Sequence, residues 1–163
     1  MKFTKDIVGV GSYDIPTGNG GVSHQEVTLP RMRKWADNFT KMKKLGLRIP
    51  APWRHYQPDG KPLKPSHLRM GPAESDPGDI NAGFWDVVYV DEDRQVLVGV
   101  LEAPGRPDDY SSPAGKIGQT VQETSVYVAP NFQDPKTKAT FDEAILHIGC
   151  VTNPIESGQS NFY

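Results

Sequence analysis

His55, Ser125 and His147 are the residues of this chain whose types and order could do chemistry together. His55 stands in Ala-Pro-Trp-Arg-His, Ser125 in Glu-Thr-Ser-Val-Tyr-Val, and His147 in Ala-Ile-Leu-His-Ile-Gly-Cys-Val-Thr-Asn-Pro. A long gap separates the first two and a short one the last two. A serine hydroxyl is a poor nucleophile until a base takes its proton. That base works better when a third group holds its ring. A second histidine can be that third group, so the trio is compatible with acyl transfer through an activated serine.

Each residue also has an ordinary reading. Ser125 taken alone is a serine on a half-exposed strand, sharing a face with Glu123 and Tyr127. His147 lies among Ile145, Leu146 and Ile148, where a histidine is costly to bury without a partner. Alone, it reads as a core histidine bonded to a backbone carbonyl, sharing a face with Ile145 and Gly149. His55 reads as a surface residue at the start of a loop. His24 and His67 lie in polar loop sequence and read as surface residues. If the strands carrying Ser125 and His147 pair, those two side chains can meet. Cys150 is the other potential nucleophile. It falls on the opposite strand face from His147 and reads as a buried, inert thiol.

The elements that must position these residues are short and mostly extended. Ile7 to Ile15 reads as a first strand, weakened by Gly11 and ended by Pro16. Thr17 to Gly21 is a turn-rich loop. One helix is clear: Thr28 is an N-cap, Pro30 suits the first turn, and Gly46 sits where a C-terminal glycine belongs. Leu29, Met32, Trp35, Ala36, Phe39, Met42 and Leu45 repeat at helical spacing, with a basic face opposite. Leu47 to Pro52 is short and apolar and leads into His55. Residues 56–82 form a long proline-rich loop, of a length that is functional or disordered in most domains. Phe84 to Val90 and Gln95 to Glu102 predict a hairpin. Pro104 to Pro113 is a loop, and Ala114 to Val121 a short helix or turn. Thr124 to Val128 is a strand, Asn131 to Lys138 a polar connection, and Ala144 to Val151 a final buried strand. Six short strands, one firm helix and long loops predict a mainly β chain with flanking helices (α+β), folded as an antiparallel barrel or sandwich.

Composition bounds the function. A length of 163 residues suits a single domain, 1–163, with a substantial core. The apolar fraction is 36%, and 16 Gly and 15 Pro fill the remainder, as expected of many loops and short strands. A net charge of −2 argues against nucleic acid as a partner. The lone Cys150 fits a reducing compartment. The N-terminus has no apolar signal core, and no run of ~18 apolar residues exists to span a membrane. These features read as a soluble, intracellular protein. No His-x-x-x-His, Cys-x-x-Cys or Asp-rich calcium loop is present, and no metal is expected. Without Gly-x-Gly-x-x-Gly or a P-loop, no nucleotide or other cofactor is expected. The absence of Gly-x-Ser-x-Gly counts against an α/β-hydrolase.

Several segments, in order, resemble the maturation (prohead) proteases of tailed phages, the group like the Mu I protein among them, and through these the herpesvirus assemblins. They are Leu-Pro-Arg-Met-Arg-Lys-Trp-Ala-Asp-Asn-Phe, Ile-Pro-Ala-Pro-Trp-Arg-His, Gly-Phe-Trp-Asp-Val-Val-Tyr-Val with Val-Leu-Val-Gly-Val-Leu, Gln-Glu-Thr-Ser-Val-Tyr-Val, and Ile-Leu-His-Ile-Gly-Cys-Val-Thr-Asn-Pro-Ile. The resemblance implies an antiparallel barrel of the herpesvirus-protease type and a Ser-His-His triad. His55 would be the general base, Ser125 the nucleophile, and His147 the group that orients His55. Many phage relatives have an acidic residue in the third place. Assemblins also use an arginine pair after the third triad residue, whereas this chain has no Arg after Arg106. Its oxyanion donors would be others, with backbone N–H groups between Pro104 and Gly115 as candidates.

The resemblance further implies scaffold and major capsid proteins as substrates, the chain itself among them, inside an immature capsid in the host cytoplasm. A homodimer is in keeping with assemblin-like enzymes. A neutral third residue stabilises imidazolium less than a carboxylate, so a slow enzyme is expected. A second reading is a non-catalytic barrel serving as a capsid-assembly or scaffold-binding module. Its basic helix face would then meet acidic scaffold. A third is a metal-dependent hydrolase built on His55, His67 and nearby carboxylates.

Overall fold

The computed structural model describes residues 1–16, 22–53, 81–119 and 123–151. His55 and His67, the 17–21 loop and the 56–80 part of the proline-rich loop lie outside the described residues.

Alternation builds the first sheet. Strand β1 (Lys2–Gly9) turns Phe3, Lys5 and Ile7 inward. It pairs antiparallel with β6 (Val96–Glu102), which pairs with β5 (Asn81–Asp91), and β5 in turn with β4 (Ile49–Pro52). The predicted hairpin is β5–β6. Its turn is closed by Asp91, whose carboxylate accepts from the Arg94 backbone N–H at 3.1 Å. Gln95 there takes φ of +55°. Gly99 on β6 is required by packing. A Cβ there would stand 2.6 Å from Ile7 Cδ1 and 2.7 Å from the Trp85 ring. The missing side chain leaves the space that Ile7 and the Trp85 ring fill.

The predicted strand Ile7 to Ile15 is two strands. Val10 leaves the ladder, and its N–H donates to Gln95 O at 3.1 Å. Beyond it, β2 (Gly11–Pro16) pairs with β3 (Val22–Val27) in a separate ribbon. His24, read as a loop residue, is therefore on a strand, opposite Asp14.

Helix α1 (Leu29–Lys44) begins at the predicted cap, where Thr28 Oγ1 accepts from Arg31 N at 3.3 Å. It ends at Gly46, whose φ of +87° is open to glycine at little cost. Met32, Trp35, Phe39 and Met42 are buried, and Leu29, Ala36 and Leu45 pack beside them. The short α2 (Pro113–Gln119) buries Ala114 and Ile117.

The last ribbon pairs β7 (Glu123–Gln133) with β8 (Thr140–Val151). Both strands run further than the sequence predicts, and the connection is correspondingly shorter. Asp134 closes it: its N–H donates to Ala139 O at 2.9 Å, and its carboxylate accepts from Lys136 N at 3.2 Å. β4 and α1 pack on β8. One contiguous core draws on both helices and all three sheets. The chain is thus mainly β with two helices, as expected. Among the described residues the hydrogen-bonded ladders do not close into a barrel. No described helix is long and apolar enough to cross a membrane.

Candidate active site

The β7–β8 register decides what Ser125 and His147 can do. Ser125 stands opposite Gly149, and Tyr127 opposite His147. Opposed residues share a face, and so do positions i and i+2. Ser125 and His147 are therefore diagonal neighbours on one face of the ribbon. Both are buried, at 7% and 4% exposure. Diagonal neighbours across antiparallel strands lie roughly 7–8 Å apart. That spacing is within reach of a long or aromatic side chain, so the two residues are neighbours on the face.

The other face belongs to the core. Thr124 pairs with Cys150 and Val126 with Ile148 there. Burial pushes the Cys150 thiol up to about 12, against a smaller opposing effect of the Lys5 charge. Cys150 is fully covered and stays protonated, so it is no nucleophile near neutral pH.

A bulge separates the two faces more sharply than alternation would. The register shifts between Tyr127 and Val128, so that Val128 pairs with Ile145 and Leu146 is the extra residue. Ile145 and His147 were expected on one face. The bulge puts Ile145 on the core face with Val128 and turns His147 to the face of Ser125.

Two features hold His147 and its strand in place. The Tyr127 ring stacks on the imidazole, with centroids 5.0 Å apart and planes at 15°. Trp85 Nε1 donates to Ile148 O at 3.0 Å, tying β8 to the first sheet. A third feature fixes the strand that leads to His55. Asn81 Oδ1 accepts from Ala51 N at 2.9 Å and Gly83 N at 3.2 Å, which pins the end of β4.

The loop proposed to supply oxyanion donors spends most of its N–H groups on itself. Asp109 N donates to Arg106 O, Ser112 N to Asp109 O, and Ala114 N to Pro104 O. Ser111 N goes to Asp109 Oδ1 and Gly115 N to Ser112 Oγ. These donors are not available to a tetrahedral intermediate.

Sequence reasoning missed two polar sites. His24 is held on both ring nitrogens, by Asp14 Oδ1 and by Glu26 Oε1, each at 2.8 Å. Those two carboxylates raise its pKa above the usual histidine value, Asp14 more than Glu26. The Asp14–His24 pair becomes visible once Gly11 to Val27 is read as a hairpin. Lys5 is fully buried beside the core, and no sequence signal marks an inward lysine in an alternating strand.

The basic helix face is largely occupied by the protein's own acids. Arg31 pairs with Glu143 at 2.7 Å, Arg33 with Glu92 at 2.7 Å, Lys34 with Asp142 at 2.8 Å, Lys41 with Asp37 at 2.8 Å, and Lys43 with Asp86 at 3.1 Å.

No protein-family model, no curated protein and no solved structure matches the chain.

Proposed function

We propose that the chain is a serine endopeptidase of the capsid-maturation type, with Ser125 as nucleophile, His55 as general base and His147 as the residue that holds the base. The observation that carries this reading is the shared face of Ser125 and His147, set apart by the bulge from the core face of Cys150 and Ile145. Ser125 Oγ attacks the peptide carbonyl as His55 takes its proton, and His55 then protonates the leaving amine. Water deprotonated by His55 hydrolyses the acyl-enzyme. Substrates in this reading are scaffold and major capsid proteins inside a procapsid in the host cytoplasm, with closure of the ribbons into a herpesvirus-protease-type barrel.

The assembly-module reading drew on a basic helix face meeting acidic scaffold. The five ion pairs on α1 remove most of that unbalanced charge.

A fluorophosphonate probe tests the proposal directly. Labelling of the purified protein that disappears in Ser125→Ala and fades in His55→Ala supports it. A folded wild type that takes no label, alone or inside assembled procapsids, overturns it. The labelling rate should fall as pH drops through the His55 pKa, near ~6.5 for an ordinary histidine. A flat profile between pH ~5 and ~8 removes His55 from the role of base.

A further inference from the structure

His24 is engaged on both sides of its ring. Nδ1 lies 2.8 Å from Asp14 Oδ1, and Nε2 lies 2.8 Å from Glu26 Oε1. Both neighbours are carboxylate oxygens, which accept hydrogen bonds and donate none when ionised. A neutral imidazole has one N–H and can serve only one of them. Its other nitrogen would turn a lone pair toward an oxygen lone pair. Imidazolium, with a proton on each nitrogen, serves both.

The arrangement belongs to the outer face of the β2–β3 ribbon. Asp14 stands opposite His24 and Ser12 opposite Glu26, so four exposed side chains share one face. Ser12 Oγ donates to Glu26 Oε1 at 2.6 Å. His24 thus joins two cross-strand pairs into one chain of bonds: Asp14, His24, Glu26, Ser12. The opposite face is held by packing, with Val27 in the core and Tyr13 against it. From α1, Arg31 also reaches β3, at Glu26 O (2.9 Å) and Gln25 Oε1 (3.0 Å), and its charge is paired with Glu143 at 2.7 Å. A two-stranded ribbon is marginally stable by itself, so the bonds of its outer face bear on whether it stays paired.

We propose that the β2–β3 ribbon is a proton-operated clasp: imidazolium at His24 completes the chain from Asp14 to Ser12, and loss of one ring proton breaks it at one link and loosens the ribbon. The bond that survives also loses the positive charge on its donor. The two carboxylates hold the His24 pKa above the ordinary histidine value, Asp14 more than Glu26. The contribution of the clasp is therefore complete below the unfolded value near ~6.5 and is lost as pH rises through the higher folded value. The clasp closes in acid and opens toward alkaline pH. Val27 in the core and the Thr28 cap of α1 confine the opening to the ribbon.

NMR on the full chain, labelled with ¹⁵N and with ¹³C in its histidine rings, tests the clasp. His24→Gln identifies the His24 ring signal by its loss. That signal is expected to titrate above ~6.5, and Asp14→Asn should bring its midpoint down. Both substitutions fall at exposed positions and leave the core as it is. Amide protection factors at residues 12–14 and 23–26, corrected for the intrinsic exchange rate at each pH, should fall about two- to fivefold between pH ~6 and ~9 in the wild type. They should stay level over the same range in His24→Gln, and α1 should show no such step in either protein. An ordinary or lowered His24 midpoint, a step that survives in His24→Gln, or a titration that leaves ribbon protection unchanged overturns the clasp. None of these readouts involves Ser125, so the clasp and the protease stand or fall separately.

Discussion

The two halves of β8 lie on one strand and are held by different means. From Thr140 to Ala144 the strand is gripped from α1 by polar groups. Glu143 accepts from Arg31 Nε at 2.8 Å and from Trp35 Nε1 at 3.2 Å, and its backbone carbonyl accepts from Asn38 at 2.7 Å. From His147 to Cys150 the strand is set by packing, with Ile148 and Cys150 in the core and one bond from Trp85. The first half is saturated with specific partners. The second half carries its polar group, His147, on a face that holds Ser125 and a stacked tyrosine. On the proposed function, fold and chemistry fall to different residues of the same strand, and substitutions in one half should leave the other intact.

The sharpest break of that contrast is Ser125→Ala. Loss of the nucleophile should lower probe labelling by more than about 10³-fold. A serine this small leaves little void, so the denaturation midpoint should barely move, by under about 1 kcal/mol. A large loss of stability would mean that Ser125 belongs to the fold and not to a site. Glu143→Ala is the reverse case. It strands the buried Trp35 indole and takes one partner from the Arg31 guanidinium, which keeps Glu26 O and Gln25 Oε1, and should cost about 2 kcal/mol in chemical denaturation. Its labelling rate at a temperature where it stays folded should match the wild type; a parallel collapse of labelling would join the two halves.

Smaller effects sharpen the picture. Tyr127→Leu removes the ring from His147 and should cost about 0.5–1.5 kcal/mol, with Tyr127→Phe near neutral. If the stack also holds the imidazole for chemistry, the leucine variant alone shifts the pH profile of labelling. Asp86 serves as a control away from β8. The hydrogen bonds from Lys43 and then Lys2 hold its carboxyl below the usual aspartate value. Its contribution is present above the unfolded value near ~3.9 and fades as pH falls through the lower folded value. With about a third of its side chain exposed, the effect should stay under about 1 kcal/mol. Thermal melts between pH ~5 and ~2 should converge for wild type and Asp86→Asn at the acid end.

What was legible in the sequence followed strong local signals. Thr28, Pro30 and Gly46 bounded α1 because caps act within a few residues. The β5–β6 hairpin showed in its apolar runs around Asp91 to Arg94. The strand pairing that brings Ser125 and His147 to one face was foreseen as a condition, because each stood among apolar neighbours. What escaped depended on distant partners. Ser12 and Asp14 bond across the ribbon to Glu26 and His24 through exposed side chains rather than burial, so the segment around His24 read as loop although Ser12 and Asp14 read as strand. Pro130 and Asn131, the latter at φ of +53°, resemble a turn, yet the strand continues because Pro130 sits opposite Glu143 and Phe132 opposite Phe141. The latch of Arg31, Trp35 and Asn38 on β8 joins residues more than 100 positions apart, which no local pattern reveals.

The extra residue at Leu146 has a consequence for how this chain can change over time. With strict alternation, Ile145 and His147 would point the same way, and keeping the isoleucine in the core would draw the histidine in with it. The bulge keeps them apart. Exchanges of side chain along β8 can be absorbed singly, and even loss of the codon for Leu146 would leave Ile145 and His147, then adjacent, on opposite faces with Val128 and Tyr127 as their partners. What would bring the histidine to the isoleucine's face is a regular ladder that kept Leu146, so the strand carries its own record of that residue as an insertion the pairing had to absorb.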